Sequence, residues 1–385
     1  MKVVWICGLP DAVRTGGYSS CLSQIPTPAW SWVLGHLPPP ESVDLHIVCP
    51  VVGLEPKYLS FSYCGATWHC FKRKRFTHVI AYLSHHIAVR RFINGLKPDI
   101  IHGWGGETGF GYLATRLGRD AIVSVQGNLR YYCALSADFA HMMNNVYGKY
   151  MLWRENRTYA RAKVLLTESE VSRTALLTYH GHDSMVLPHP LREIFYRNVS
   201  REHLLNRDPV FLFIGTLEDR KGAVDAVRAF STLPHGARLL IVGSGPRESD
   251  MRAIVAKHGI SSAVEFKGKC SPREIYECMK CAHYYLLPSY GDTGPTSLKE
   301  AMACGLFPIC YDNSGPHEYI TRYNCGYLAE TGDVEKLALL MRKAIENKAT
   351  TISAGVAASA RIKSDLSKET VWNGLLRIYK GLNAT

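Results

Sequence analysis

Hydrophobic positions along the chain come in short unbroken runs rather than in strict alternation with polar ones. "KVVWICG", "VDLHIVCPV", "PDIIHGW", "AIVSVQG" and "KVLLTES" occupy the first half, and "PVFLFIGTL", "ARLLIVGSG", "AVEFKG", "HYYLLPS" and "LFPICYD" the second. Such runs suit strands covered on both faces. Helical stretches separate them, and strands that recur with helices between them predict parallel sheets. There are two such series. The stretch Leu187–Pro209, rich in Pro and charge, reads as the linker. The predicted fold is therefore α/β, with two Rossmann-like doubly wound parallel-sheet domains, 1–188 and 189–366, facing a central cleft. In residues 367–385, Val371, Leu375, Leu376 and Tyr379 share one helical face, with Ser367 as a cap and Glu369 close behind. That helix is expected to pack back on the first domain.

Ligands of open α/β sheets bind beyond the carboxyl ends of the strands, so the loops after the runs are where chemistry belongs. In "HYYLLPSYGDTGPTSLKEAMACG" a strand ends near Leu287, a turn follows, and Pro295 suits the first helical position. A helix starting there offers free N–H groups and the positive end of its dipole to an anion. Thr293, Gly294, Pro295 and Thr296 thus form a cradle for phosphate or sugar hydroxyls. Asp292 and Glu300 flank it, eight positions apart. Two acids do not bind phosphate; they suit the hydroxyl-rich ends of a nucleotide sugar, Asp292 the hexose and Glu300 the ribose. In "FLFIGTLEDRKGAVDAV" a strand ends at Gly215, and Lys221 beside Gly222 can reach a diphosphate. The triphosphate-binding spacing GxxxxGK[ST] is absent. Gly243 closes the next strand, and the loop Gly268–Ser271, with Lys269 and Cys270, can present backbone groups to a base edge.

The succession Gly215–Gly222, "VGSGP", "VEFKG", "LLPS", "EAMACGLFPI" and "SGPHEYITRYNCGYL" resembles the family-4 retaining glycosyltransferases of the GT-B fold, in a bacterial-type subgroup. The resemblance covers nearly all of the second half. It implies that Lys221 pairs with the donor diphosphate, Glu300 holds the ribose, and Asp292 sits at the sugar with the amides of Gly294–Thr296. It implies front-face transfer of a hexose-type sugar from a nucleotide diphosphate donor to a hydroxyl, with retention at the anomeric carbon. Asp292, Lys221 and Glu300 are the catalytic candidates. Gly215, Thr216, Arg220, Gly243, Lys269, Cys270 and Thr293–Thr296 complete the donor side. Two departures stand out. The family usually has Glu where Asp292 stands, and Arg where Thr216 stands; Arg220 is the candidate substitute. In the first half, the Gly16-Gly17 loop, His102, Glu107 after a glycine-rich turn, and Gln126 in "SVQG" look like acceptor-side groups.

Net charge is +12, much of it in "FKRKRF" (71–76), "VRRF" (89–92) and "REHLLNR" (201–207). A basic surface attracts anionic partners. The partners expected are a nucleotide sugar, a glycan or lipid-linked hydroxyl acceptor, and an anionic membrane surface; no nucleic-acid-binding motif is present. No apolar run approaches the ~18 residues of a membrane span. The start of the chain has no signal-peptide core, so a cytoplasmic, membrane-associated protein is expected. Twelve cysteines are scattered, mostly in apolar runs, without the paired spacing of a zinc site. No metal and no cofactor is expected. A nucleotide-sugar epimerase or hydrolase on the same fold, and a catalytically degenerate sugar-nucleotide-binding protein, are the alternatives.

Overall fold

The computed structural model describes residues 1–9, 37–73, 81–117, 120–135 and 137–383. The chain divides into two compact units, Met1–Pro190 with Lys368–Thr385, and Leu191–Ser367.

The described residues of unit 1 form eight strands: β1 Lys2–Ile6, β2 Asp44–Val52, β3 Tyr58–Tyr63, β4 Ala66–Arg73, β5 Ile100–Trp104, β6 Ile122–Ser124, β7 Val164–Thr167 and β8 Met185–Val186. Their order is β3-β4-β2-β1-β5-β6-β7-β8. Every pairing is parallel except β3 with β4. Strand β1 shows why its sequence is apolar throughout. Val3 and Trp5 enter one hydrophobic cluster, Val4 and Ile6 another, so both faces are covered. The antiparallel β3–β4 hairpin departs from the all-parallel sheet that the sequence predicts. Its turn residues Cys64 and Gly65 both have positive φ, 51° and 74°, as the tight primed hairpin turns demand.

The helix Lys368–Asn383 contributes Val371, Trp372, Leu375 and Tyr379 to the first of those clusters. Trp372 stacks on Trp5 with centroids 5.4 Å apart, and Trp5 Nε1 donates to the Tyr379 hydroxyl at 3.0 Å. Leu375 is fully buried there. Leu375→Ala should cost about 2–5 kcal/mol. Urea unfolding followed by tryptophan fluorescence checks this, and an unchanged midpoint would show that the helix is dispensable to this core.

Unit 2 carries β9 Val210–Ile214, β10 Arg238–Val242, β11 Val264–Gly268, β12 Tyr284–Leu287, β13 Phe307–Tyr311 and β14 Tyr327–Ala329. The order β11-β10-β9-β12-β13-β14 is wholly parallel. It is the doubly wound order in which the chain reverses direction between its first and fourth strands, here β9 and β12. One large cluster fills both faces.

The stretch predicted as a linker is mostly part of unit 2. Leu191 and Phe195 lie in its core, and Leu191 N–H donates to Leu366 O at 3.2 Å. Arg201 is buried and donates to the carbonyls of Cys304 (2.8 and 2.5 Å) and Ala282 (2.6 Å). These carbonyls follow or end helices, so the guanidinium supplies donors that those backbone acceptors otherwise lack. Pro and charge mimic a linker, but a few apolar anchors and one buried arginine fix the segment.

Among the described residues no helix is long and apolar enough to cross a membrane, and no group of three or more His, Cys, Asp or Glu side chains is placed to hold a metal ion. The described cysteines are free thiols, with Cys7, Cys49, Cys70, Cys304, Cys310 and Cys325 buried.

Candidate functional site

Adjacency of β9 and β12 places their carboxyl ends side by side, with Leu286 opposite Phe213. The loops that leave them, Gly215–Gly222 and Pro288–Pro295, must therefore meet. Gly222 makes the approach feasible. Its φ is 64°, and a Cβ there would stand 1.7 Å from Pro288 O, so only glycine fits. Tyr290 N–H and the Ser289 hydroxyl both donate to Arg220 O, at 2.8 and 3.1 Å. The Arg220 guanidinium donates back to Gly291 O at 3.2 Å and to Glu218 at 2.9 Å. The Lys221 ammonium and the Asp292 carboxylate, 71 positions apart in sequence, are paired as a result. A third element braces Asp292. Asn313 donates to Ser289 O, and a Cβ on Gly315 would lie 2.1 Å from Asp292 O. Beneath, Tyr290 and Tyr311 donate to Asp225 at 2.7 and 3.0 Å.

Lys221 was expected as a cation for a diphosphate and Asp292 as an acceptor for a hexose. The structure pairs the two. Both side chains are largely withdrawn from water, 20% and 16% exposed, and opposite charges so placed replace lost hydration by pairing.

The helix after β12 spans Thr296–Ala303, with Pro295 at its N-cap rather than in its first turn. No side chain caps it and its first turn holds no acid. Pro295 O accepts from Leu298 and Lys299 N–H at 3.1 and 3.2 Å, which leaves the leading N–H groups beyond the helix's own ladder. Ser297 Oγ accepts from the Tyr285 hydroxyl at 2.6 Å. Thr293 is half-buried and Gly294 buried.

Glu300 lies within the helix Thr296–Ala303. It is 1% exposed, and Arg192 Nε and a terminal nitrogen hold its two oxygens at 2.6 Å each. Burial pushes its carboxyl up, and the Arg192 guanidinium opposes that. Both of its oxygens are thus engaged by one guanidinium. Arg192, in the stretch Leu187–Pro209 that reads as a linker, was given no role from the sequence.

The remaining donor candidates line the neighbouring strand ends. Gly215 N–H donates to Val242 O and Gly243 N–H to Gly268 O, at 3.0 and 2.8 Å. Gly243 has φ 135°, and a Cβ there would stand 1.9 Å from Gly215 O. Thr216 and Lys269 are exposed. Lys269 and half-buried Cys270 follow β11, two strands from β9, and the Cys270 thiol lies 3.8 Å from Gly268 O.

In unit 1 the strand order diverges between β1 and β5. Gly16 and Gly17, predicted in the loop after β1, lie outside the described residues. His102 is corrected from an acceptor-side group to a core residue. It is fully buried within β5, its Nδ1 2.8 Å from the Tyr379 hydroxyl and its Nε2 2.8 Å from Ser124 Oγ. Burial lowers it to about 3, so the ring is neutral. Glu107, in the loop after β5, has one oxygen enclosed without a hydrogen-bond partner, and burial pushes its carboxyl up to about 7. Gln126 Nε2 lies 3.2 Å from His189 Nε2, and His189 Nδ1 is 3.5 Å from Glu168.

A sequence model described as Glycosyl transferases group 1 matches residues 196–360, and one described as Glycosyltransferase Family 4 matches residues 40–191. The two meet near the boundary between the units. The chain belongs to the family-4 glycosyltransferases. It is 26% identical over 194 residues to the amylovoran biosynthesis glycosyltransferase AmsK of Erwinia amylovora, a match covering 48% of each protein. The chain thus spans about half the length of that curated relative. Its fold is similar to sucrose-phosphate synthase from Thermosynechococcus elongatus (TM-score 0.73, 16% identity, 100% of this chain and 99% of that one). It is also similar to Anabaena HepE, solved in complex with UDP and glucose (TM-score 0.71, 15% identity, 99% and 100%). These likenesses place the two parallel-sheet units in the GT-B fold.

In this family-4 glycosyltransferase the Thr216 departure has a structural companion. Arg220, the candidate substitute for the family's arginine, already spends its guanidinium on Glu218 and Gly291. Its side chain is still 38% exposed, which leaves it accessible to an anion. Asp225 was missed although its sequence signal is present: it is the one acid in the otherwise apolar first turns of "AVDAVRAF".

Proposed function

We propose that this glycosyltransferase moves a hexose from a nucleoside diphosphate sugar to a hydroxyl of a glycan or lipid-linked acceptor, with retention at the anomeric carbon. The observation that carries the reading is the Lys221–Asp292 pair at the β9/β12 reversal, next to the uncapped start of Thr296–Ala303. An arriving diphosphate takes over Lys221, and Asp292, released, receives hydroxyls of the hexose. Glu300, carried by the same helix and paired with Arg192, serves the ribose. The UDP and glucose named for HepE and the amylovoran named for AmsK support this reading.

As the C1–O bond breaks, its electron pair passes to the β-phosphate oxygen. Lys221, Arg220 and the leading helix N–H groups meet that charge, which is electrostatic stabilisation by fixed donors. The acceptor oxygen bonds C1 on the same face, and its proton goes to the departing phosphate. No metal ion is called for in this sequence of steps. Glu107 and Gln126 of unit 1 serve the acceptor hydroxyl.

A panel of nucleotides and nucleotide sugars tests the donor. The matching one, at about a hundred times its Kd, should raise the melting temperature by about 5–10 °C; a panel without effect would remove the reading. Labelled donor, incubated with and without acceptor, then separates transfer from hydrolysis or epimerisation. Tight binding without turnover would support the degenerate alternative, which exposed Thr216 favours.

Contact with an anionic membrane belongs to the same proposal. Lys72 is exposed at the end of β4, and the rest of the basic run from residue 74 lies outside the described residues. Vesicles containing phosphatidylglycerol should carry the protein upward on flotation and release it at high salt. Protein that stays at the bottom at low salt would end that part.

A further inference from the structure

Glu107 Oε2, Glu155 Oε2, Asn128 Nδ2 and Arg154 Nε are buried without hydrogen-bond partners, and all four belong to one cluster in unit 1. Glu155, Asn128 and Arg154 are at most 6% exposed. Buried polar atoms are almost always paired, so this concentration marks a place built for something other than stability. None of these residues except Glu107 enters the transfer scheme above.

The cluster is a closed circuit. The Glu107 carboxyl accepts from Gly127 N–H. Gly127 O accepts from the Tyr159 hydroxyl at 3.3 Å, and the same hydroxyl lies 3.2 Å from Glu155 Oε1. Glu155 Oε1 also accepts from Leu129 N–H at 3.0 Å. On the other side, Arg154 donates to Glu107 O at 2.5 Å. The fit is tight. A Cβ on Gly106 would stand 2.5 Å from the Tyr159 ring, and one on Gly127 would touch the Glu107 carboxyl carbon at 3.6 Å. One helix, Val146–Arg161, therefore grips the loops after both β5 and β6 through Arg154, Glu155 and Tyr159.

We propose that Glu155 is a positioning residue of the acceptor side: through Tyr159 and Leu129 it fixes the loop that carries Gln126 and the amide that holds the Glu107 carboxyl. The proposal rests on the acceptor-side reading of Glu107 and Gln126.

The electrostatics agree with the geometry. Burial, together with the charge of Glu107, pushes Glu155 up to about 8 against the opposition of Leu129 N–H, Tyr159 and Arg130. Glu107 is raised by burial, with Gly127 N–H and Arg154 opposing. Around them, Tyr159 and Cys133 are raised by burial and by Glu155, and Tyr132 faces Tyr159. His180, whose Nε2 is 3.1 Å from Asn128 Oδ1 and 3.4 Å from Glu155 Oε2, is lowered to about 4 by burial and by Arg130 and His182. It stays neutral and supplies no counter-charge. Glu155, the higher of the two, therefore keeps its proton near neutrality, and the charge that Glu107 takes on helps to hold it there.

Carbon-13 labelling of glutamate carboxyls, with Glu155 assigned through Glu155→Gln, reads this directly. Glu107→Gln removes the charge that raises Glu155 and should lower the Glu155 titration midpoint by about 1 pH unit. Glu155→Gln keeps an oxygen for Leu129 and Tyr159 and should leave UDP affinity and the unfolding midpoint at pH 6.5 unchanged. Glu155→Ala removes the acceptor, and amide exchange at Gly127–Leu129 should quicken at least about tenfold, a change that Gln reverses. A Glu155 midpoint unmoved by Glu107→Gln overturns the inference, as does equal protection in the Glu155→Ala and Glu155→Gln variants. If the Ala variant does not fold, the Glu107→Gln titration decides alone. Failure of UDP to bind the wild type would remove the donor reading of unit 2 and leave the Glu155 result to be read from the titration.

Discussion

Arg192→Ala should destabilise unit 2 by about 3–5 kcal/mol at neutral pH, the cost of leaving a buried charge without its partner. Glu300 is 2% exposed in its side chain, Arg192 18%, so water cannot replace the lost guanidinium. The effect has a sign in pH. Burial already raises the Glu300 carboxyl and Arg192 is the main opposing group; without it the folded-state value rises further. The folded state then keeps a proton that the unfolded chain gives up above its ordinary value of about 4.3. The variant's stability must fall as pH rises from there to the folded-state value, and level off above it. Urea unfolding at a series of pH values checks both statements. Arg192→Met combined with Glu300→Leu should recover most of the loss, because neither orphan charge remains. A variant as stable as the wild type across that range would show that the pair holds nothing together.

The second large effect concerns ligand rather than fold. Lys221→Ala should weaken UDP binding by about 10- to 150-fold, the range set by about 1.5–3 kcal/mol for a hydrogen bond to a charged group. Asp292→Asn should behave oppositely in calorimetry. It frees Lys221 from its partner, so UDP affinity is kept or raised. Turnover falls about a hundredfold, since the sugar loses an acceptor that acts in the transition state. Equal losses of affinity in both variants would sink the division of labour between the two residues, and full turnover in Asp292→Asn would take it out of the sugar site.

The fold was legible where the information is local. Both series of buried strands stand out as apolar runs, and the capping box that opens Pro272–Cys281 is written in Ser271 and Glu274. The β3–β4 hairpin escaped because its turn uses Cys64-Gly65 in place of the Asn-Gly or Asp-Gly pairs that advertise such turns. The site was legible in its parts and not in its pairings. Lys221 and Asp292 announce themselves beside turns and Glu300 in the helix that follows, but their partners are set by strand order. Arg192 is 108 positions from Glu300, and Tyr379 is 277 from His102. No window of sequence contains both ends of such a contact. His102 misled for the same reason: a histidine in a strand looks available until a helix at the far end of the chain covers it.

That distant helix also dictates an order of events during synthesis. Unit 1 needs Lys368–Asn383 to complete one face of its sheet, and the ribosome makes those residues after every residue of unit 2 has been made. The half of the protein that is begun first must therefore be finished last. While it waits, Trp5 and its neighbours lack their cover, and this nascent intermediate is the form in which a chaperone has most to bind.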